Sequence, residues 1–302
     1  MSELLERIHP DGPEVSRISA GMLRLPTWNY SDRELGKFIE AVVERGITTI
    51  DSADIYGDYL SQPLFGRILK DRPELRGRMQ LVSKCGNALV SENRPENKVN
   101  HYNTTKEHIR NSVETSLKDL HTDYLDLLLI HRPSPLMNID EIAGILSDLA
   151  EEGKIRYAGV SNFTPMQFVW LQERLDIPLV TNQIQASLLF TDTLFNGTFN
   201  QLQRDNIRPM IWSPLKGGAL FYRKSHQAVR VRITLLKLAE KYGCSIDVLA
   251  LAWLLQLPSK PFPVVGTGNI LHIDKAVKSA SLDLDRQDWF ELLEASLGEP
   301  VP

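Results

Sequence analysis

Residues 122–133 read TDYLDLLLIHRP, and the fold follows from how this stretch begins and ends. A short apolar run from Leu127 to Ile130, preceded by Leu125 and Asp126, closes on His131 and Arg132 and is stopped by Pro133. Such a run, bounded by turn residues and too short for a helix, reads as a fully buried strand over Leu125–His131. An amphipathic stretch follows at Ile139–Glu152, and a second apolar run, Ile155–Ser161, starts immediately after it. Strand, helix and strand in that order, with short connections, predict a parallel pair with a crossover helix.

The same alternation continues in both directions. Upstream, strands are expected at Ile18–Leu23, Thr48–Asp51 and Met79–Lys84. Helices are expected at Ser31–Arg45, with Ser31 as N-cap and Gly46 as stop, then at Ser61–Lys70 and Thr105–Leu120. A long polar loop, Gly86–Asn103, precedes the last of these. Downstream, strands are expected at Leu179–Gln183, Arg208–Ser213 and Phe262–Val265. Helices are expected at Pro165–Arg174, within Thr193–Asp205, and at Val229–Tyr242, Ser245–Gln256 and Ile270–Ser279, with a final one at Asp285–Ser296. Eight strand–helix units predict a single (β/α)8 TIM barrel over residues 1–302, with an N-terminal strand or hairpin and an extra C-terminal helix. A doubly wound open sheet is the rival, but no GxGxxG opens a first βα unit.

Bulk properties narrow the function. The 302 residues are 42% hydrophobic and 24% charged, enough for an ordinary globular core. A net charge of −4 gives no basic field for nucleic acid or an anionic membrane. Two distant cysteines, Cys85 and Cys244, make neither a disulfide framework nor a metal spacing. No signal peptide or spanning segment is read, so the expectation is a soluble cytoplasmic protein, monomeric or weakly homo-oligomeric.

The chemistry lies where the strands end, because a barrel builds its active site at the carboxyl ends of its strands. Asp51, Lys84 and His131 end three successive strands, and Tyr56 follows Asp51 by one short loop. A phenol beside an ammonium is a proton donor whose pKa the cation lowers. On that reading Tyr56 is general acid in reduction and general base in oxidation, Lys84 supplies the cation, Asp51 holds Lys84, and His131 orients a substrate oxygen. A metal-dependent hydrolase would need several His and carboxylate ligands at strand ends, and only His131 fits.

With these residues placed, the chain resembles the aldo-keto reductase superfamily, in its bacterial oxidoreductase branch with a short C-terminal tail. The resemblance rests on ITTIDSADIYG (47–57), VSKCG (82–86), TDYLDLLLIHRP (122–133), GKIRYAGVSNF (153–163), TNQIQASLL (181–189) and IWSPLKGGAL (211–220), in that order. It implies reduction of aldehydes or ketones, small carbonyl substrates, with NADP(H), NAD(H) being possible. It implies catalytic roles for Tyr56, Asp51, Lys84 and His131, and no metal. It places Ser161, Asn162 and Gln183 on the nicotinamide carboxamide, and Trp212 against its ring. Gly21, Met22 and Leu23 would line the nicotinamide side next to Asp51. Ser213, Leu215 and Gly217 would follow the pyrophosphate, and Gly266, Thr267, Gly268, Asn269 and His272 the adenosine end.

The chain also departs from the family. Gln185 stands where many relatives have Glu, and no Lys or Arg occurs in Gly266–His272, where NADPH-preferring relatives grip the 2′-phosphate. NADPH stays the default expectation, with weak discrimination against NADH, since charge-assisted contacts to phosphate are the strong ones. Trp28 and Arg132, with Tyr56 and His131, are expected at the substrate, and Tyr59, His101 and Tyr102 on loops over the same rim. The alternative reading is a regulatory or redox-sensing subunit that binds cofactor on the same barrel with little turnover.

Overall fold

The computed structural model describes residues 5–301. The chain opens with an antiparallel hairpin, β1 (Leu5–Arg7) and β2 (Glu14–Ser16). Barrel strands β3 (Ser19–Gly21), β4 (Thr49–Asp51) and β5 (Gln80–Cys85) follow. A short antiparallel hairpin, β6 (Asn87–Ala88) and β7 (His101–Tyr102), lies within the long loop. The barrel is completed by β8 (Leu125–Ile130), β9 (Ile155–Ser161), β10 (Leu179–Gln185), β11 (Met210–Trp212) and β12 (Phe262–Val265). These eight strands are parallel and close on themselves in the order β10-β11-β12-β3-β4-β5-β8-β9, with helices between them. The (β/α)8 barrel, the N-terminal hairpin and the extra final helix (Arg286–Leu297) are therefore as expected.

Strand alternation decides which side chains face the interior. Val82, Leu127, Leu129, Val180, Met210, Phe262 and Val264 form the inner cluster, and Ile8 and Val15 from the hairpin join it. Counting by two from Val82 reaches Lys84, and from Leu127 through Leu129 reaches His131. The functional side chains are thus the last inward-pointing positions of their strands. Leu128, Ile130, Ile142, Leu146 and Leu149 belong instead to the layer between strands and helices.

Local chemistry accounts for most boundaries. Ser31 caps helix Asp32–Glu44 in a capping box with Glu34, a device that stabilises a helix by about 1 kcal/mol. The expected helix within Thr193–Asp205 is two, Asp192–Phe195 and Thr198–Arg204, split at Gly197, whose φ of 87° no helix accommodates. The seventh barrel strand is shorter than expected because Ser213 takes a left-handed φ of 52° and ends it at Trp212. The sixth is longer and runs on to Gln185. Among the described residues no helix is long and apolar enough to cross a membrane.

Candidate active site

Lys84 is fully buried, and its Nζ donates to Asp51 Oδ1 at 2.8 Å and to the Ser52 carbonyl at 2.6 Å. Gln183, reaching from β10, donates its Nε2 to the same Asp51 oxygen at 2.7 Å. A buried ammonium is tolerated only when paired and hydrogen-bonded, and this one is. The Lys84 Nζ lies 4.7 Å from the ring centre of Tyr56, and the Tyr56 and His131 rings meet edge-on with centroids 5.9 Å apart. The four residues read at the strand ends therefore form one cluster.

The turn after Tyr56 aims it. Gly57, Asp58 and Tyr59 are three consecutive left-handed residues, with φ of 58°, 59° and 66°. Gly57 admits no side chain, since a Cβ would come within 2.5 Å of Pro26 and of Ser61. The 86–103 loop buttresses this turn. Asn93 donates to the Asp58 carbonyl at 2.9 Å, and the Tyr59 hydroxyl accepts the Leu89 N–H at 2.7 Å.

Electrostatics correct one expectation. The Tyr56 phenol is held well above its ordinary pKa, first by burial and then by the negative charge of Asp51, with the Arg132 cation opposing. Burial and the Asp51 charge outweigh the expected lowering of the phenol by a neighbouring cation, and Lys84 directs two of its three N–H donors to Asp51 and the Ser52 carbonyl. Lys84 is itself lowered by burial, against the pull of Asp51. Burial, followed by the charges of Lys84 and Arg132, holds His131 well below its usual value, so it is neutral at neutral pH. Its Nδ1 is buried with no hydrogen-bond partner. The site thus presents a protonated phenol and a neutral imidazole, both able to meet a carbonyl oxygen.

Arg132 leaves β8 beside this cluster. Its Nη1 donates to the His131 carbonyl at 2.8 Å and to Ser161 Oγ at 3.1 Å, and its guanidinium sits 5.2 Å from the Trp212 ring centre. Ser161 donates to the Gln183 carbonyl at 2.9 Å and accepts from Asn162 Nδ2 at 2.7 Å. Asn162, left-handed at φ 59°, accepts the Trp212 indole N–H at 3.0 Å. This chain fixes the aromatic wall.

A cavity of about 980 Å³ opens above the cluster. Of the expected residues it is lined by Gly21, Leu23, Trp28, Asp51, Tyr56, His131, Arg132, Gln183, Trp212, Ser213, Leu215, Gly217, Gly266, Thr267, Gly268 and His272. Lys84 stands behind Asp51. Met22, Ser161, Asn162 and Asn269 are not brought to the cavity. The Met22 side chain is in the core, and Asn269 spends its Oδ1 capping helix Ile270–Ser279 through the Leu271 N–H at 2.9 Å. Trp28 is seated on Gly268, where a Cβ would approach its indole to 2.8 Å, and packs on Phe38. It covers the segment expected to hold cofactor as much as any substrate.

Tyr59 and His101 line a separate cavity of about 340 Å³, and Tyr102 lines neither. Asn87 faces both cavities. Asp54, partly buried against the smaller one, has its carboxyl pushed up to about 7 by burial. Sequence reasoning also missed Arg24, Asn87, Asp247 and Lys275, which all line the larger cavity.

The larger cavity suits an extended nicotinamide dinucleotide. Gly217 and Gly218 are left-handed (φ 65° and 91°) beside the left-handed Lys216, which turns backbone rather than side chain toward the space. At Gly266 a Cβ would meet nothing nearer than 3.5 Å, so backbone is open to close approach there. Trp212 supplies a flat apolar wall, and glycine and aromatic linings of this kind are what ligand clefts use.

Residues 17–296 match the Aldo/keto reductase family. The chain belongs to that family. It is 47% identical to Oxidoreductase YdhF of Escherichia coli (strain K12), covering 98% of both chains. It is 42% identical to a 6-dehydroglucose reductase of Agrobacterium fabrum, covering 96% of this chain and 97% of that one. Among solved structures it superposes on a thermostable aldo-keto reductase crystallised with the inhibitor epalrestat, with a TM-score of 0.80 and 26% identity over 97% and 99% of the chains. This aldo-keto reductase is accordingly an oxidoreductase, as its sequence motifs imply.

Proposed function

We propose that the chain reduces an aldehyde or ketone to an alcohol with a nicotinamide cofactor. The observation that carries this is the buried Lys84–Asp51 pair, Nζ to Oδ1 2.8 Å, packed 4.7 Å beneath the Tyr56 ring at the floor of the large cavity. A bound nicotinamide supplies the hydride. Tyr56 donates its phenolic proton to the carbonyl oxygen, and neutral His131 hydrogen-bonds the same oxygen and orients it. Asp51 and Gln183 fix the ammonium behind the phenol, and Trp212 fixes the face presented to substrate. Because the phenol is held above its ordinary pKa, Tyr56 stays protonated throughout neutral pH.

One feature of the site favours a hydroxylated aldehyde as substrate. Arg132 lines the cavity and has donors left over after its contacts to His131 and Ser161. Relatives at 42% and 34% identity are named 6-dehydroglucose reductase. The test is a panel of simple aldehydes, ketones and sugar aldehydes, run with wild type and Tyr56→Phe while dinucleotide binding is followed by fluorescence. Loss of reduction by about two to four orders of magnitude with binding kept is expected, the usual weight of general acid catalysis. Full activity in Tyr56→Phe contradicts the assignment. Binding without turnover of any carbonyl by wild type would instead favour a cofactor-sensing subunit.

A further inference from the structure

The large cavity does not stop at the barrel mouth. It continues outward between helix Ile246–Leu255 and helix Ile270–Ser279, and there it meets an ion pair. Lys275 Nζ lies 3.2 Å from Asp247 Oδ2, and both residues line the cavity. The Asp247 side chain is only 14% exposed, whereas that of Lys275 is 42% exposed. The Val248 N–H donates to Asp247 Oδ1 at 3.2 Å, so the carboxylate is fixed from two sides.

No other group at this end is free to hold a phosphate strongly. Asn269 is committed to its helix cap. Thr267 Oγ1 accepts the Asn269 N–H at 3.1 Å and lies 3.1 Å from His272 Nδ1. Asp274 is paired with Arg45 at 2.5 Å. Arg24 reaches the Gly217 carbonyl at 3.2 Å, on the stretch read for the pyrophosphate rather than for the adenosine ribose. An anion arriving beside Asp247 has Lys275 alone to meet it, and Lys275 can do so only by leaving a mostly buried carboxylate unpaired.

We propose that Asp247, positioned by Lys275, selects the dinucleotide: its carboxylate accepts the hydroxyls of an unphosphorylated adenosine ribose and opposes a 2′-phosphate. The chain then prefers NADH to NADPH. In Rossmann-type folds a carboxylate that accepts the ribose 2′-hydroxyl favours NAD over NADP, and the same chemistry holds for a carboxylate on a barrel. A phosphate with a charge between about −1 and −2 placed against it is a like-charge clash. This inference rests on the dinucleotide reading given above.

Direct binding, with no turnover, tests it. Dissociation constants of NADH and NADPH are measured by calorimetry or fluorescence for wild type, Asp247→Asn and Lys275→Met, with melting curves to check folding. Wild type is expected to bind NADH more tightly than NADPH. Asp247→Asn is expected to shift the ratio at least tenfold toward NADPH, and Lys275→Met to weaken NADPH further. Wild type also gives a reading without any variant, because 5′-AMP should compete for the site at least as well as adenosine 2′,5′-bisphosphate. A wild-type preference for NADPH, or a ratio unmoved by Asp247→Asn, overturns the selector. If neither dinucleotide binds at all, the failure lies in the dinucleotide reading and takes the selector with it.

Discussion

The two ends of the large cavity are built in opposite ways. At the barrel mouth Asp51, Lys84, Gln183 and His131 are all buried, and the polar atoms of the first three are paired with one another. At the outer end Thr267, His272 and Lys275 are partly exposed, on a turn and the first turns of one helix. The inner end holds its geometry because Asp51, Lys84 and Gln183 are strand residues bonded to one another, and moving either member of the Lys84–Asp51 pair leaves a buried charge. The outer end is held by caps and by the Asp247–Lys275 pair, whose lysine is partly exposed. On the two proposals made above, chemistry lies where the barrel is rigid and selectivity where side chains are partly exposed.

Substitutions at the two ends should differ in the same sense. Lys84→Met leaves Asp51 buried without its cation. Breaking a buried pair costs about 3–5 kcal/mol, so a large fall in melting temperature is expected together with loss of activity. A melting temperature equal to that of wild type would show that Asp51 is not held as described.

Asp54→Asn probes burial beside the reacting groups, where the Asp54 N–H donates to the Lys84 carbonyl at 3.2 Å. The Asp54 carboxyl is raised from 3.8 to about 7, so the folded state favours its neutral form. Its contribution to stability is therefore complete below the unfolded value and is lost as pH rises through about 7. Three pKa units correspond to about 4 kcal/mol, and Asp54→Asn should raise the melting temperature above neutral pH by several degrees while changing it little near pH ~4. A gain independent of pH would mean that the carboxyl is not the source.

At the mouth's edge, Arg132→Lys removes the planar fork but keeps the charge. It should raise KM for hydroxylated aldehydes about tenfold, with a smaller change for simple aldehydes, since one lost charge-assisted hydrogen bond is worth about 1.5 kcal/mol. Equal effects on both substrate kinds would place Arg132 in the scaffold. The smallest effect is expected far from both ends, at the exposed Lys106–Asp148 pair, 2.6 Å apart. Lys106→Ala should change stability by less than about 1 kcal/mol.

The inner end was legible in the sequence because strand alternation does two jobs at once. It builds the inner cluster from Val82, Leu127 and Leu129, and it carries the count on to Lys84 and His131. The barrel, the hairpin and the final helix were legible for the same reason: apolar period and caps are local signals. The phenol's pKa was not, because it depends on how deeply Tyr56 is buried and on its nearness to the Asp51 carboxylate. Nor was Asn269, whose side chain can cap a helix or meet a ligand and does the first. Asp247 and Lys275 lie on two different helices and read as ordinary polar positions, and only the packing of those helices beside the cavity gives them a common role. Gln183 was read toward cofactor, yet its bond to Asp51 crosses from β10 to β4, a pairing no spacing along the chain reveals.

The most direct measurement follows a deuterium on the transferable position of the reduced dinucleotide into the alcohol product, in single turnovers of wild type and Tyr56→Phe. The account expects the label on the carbinol carbon with wild type and almost none with Tyr56→Phe, although the variant still binds the dinucleotide. Label transferred equally by both, or alcohol formed by wild type without label, would contradict it.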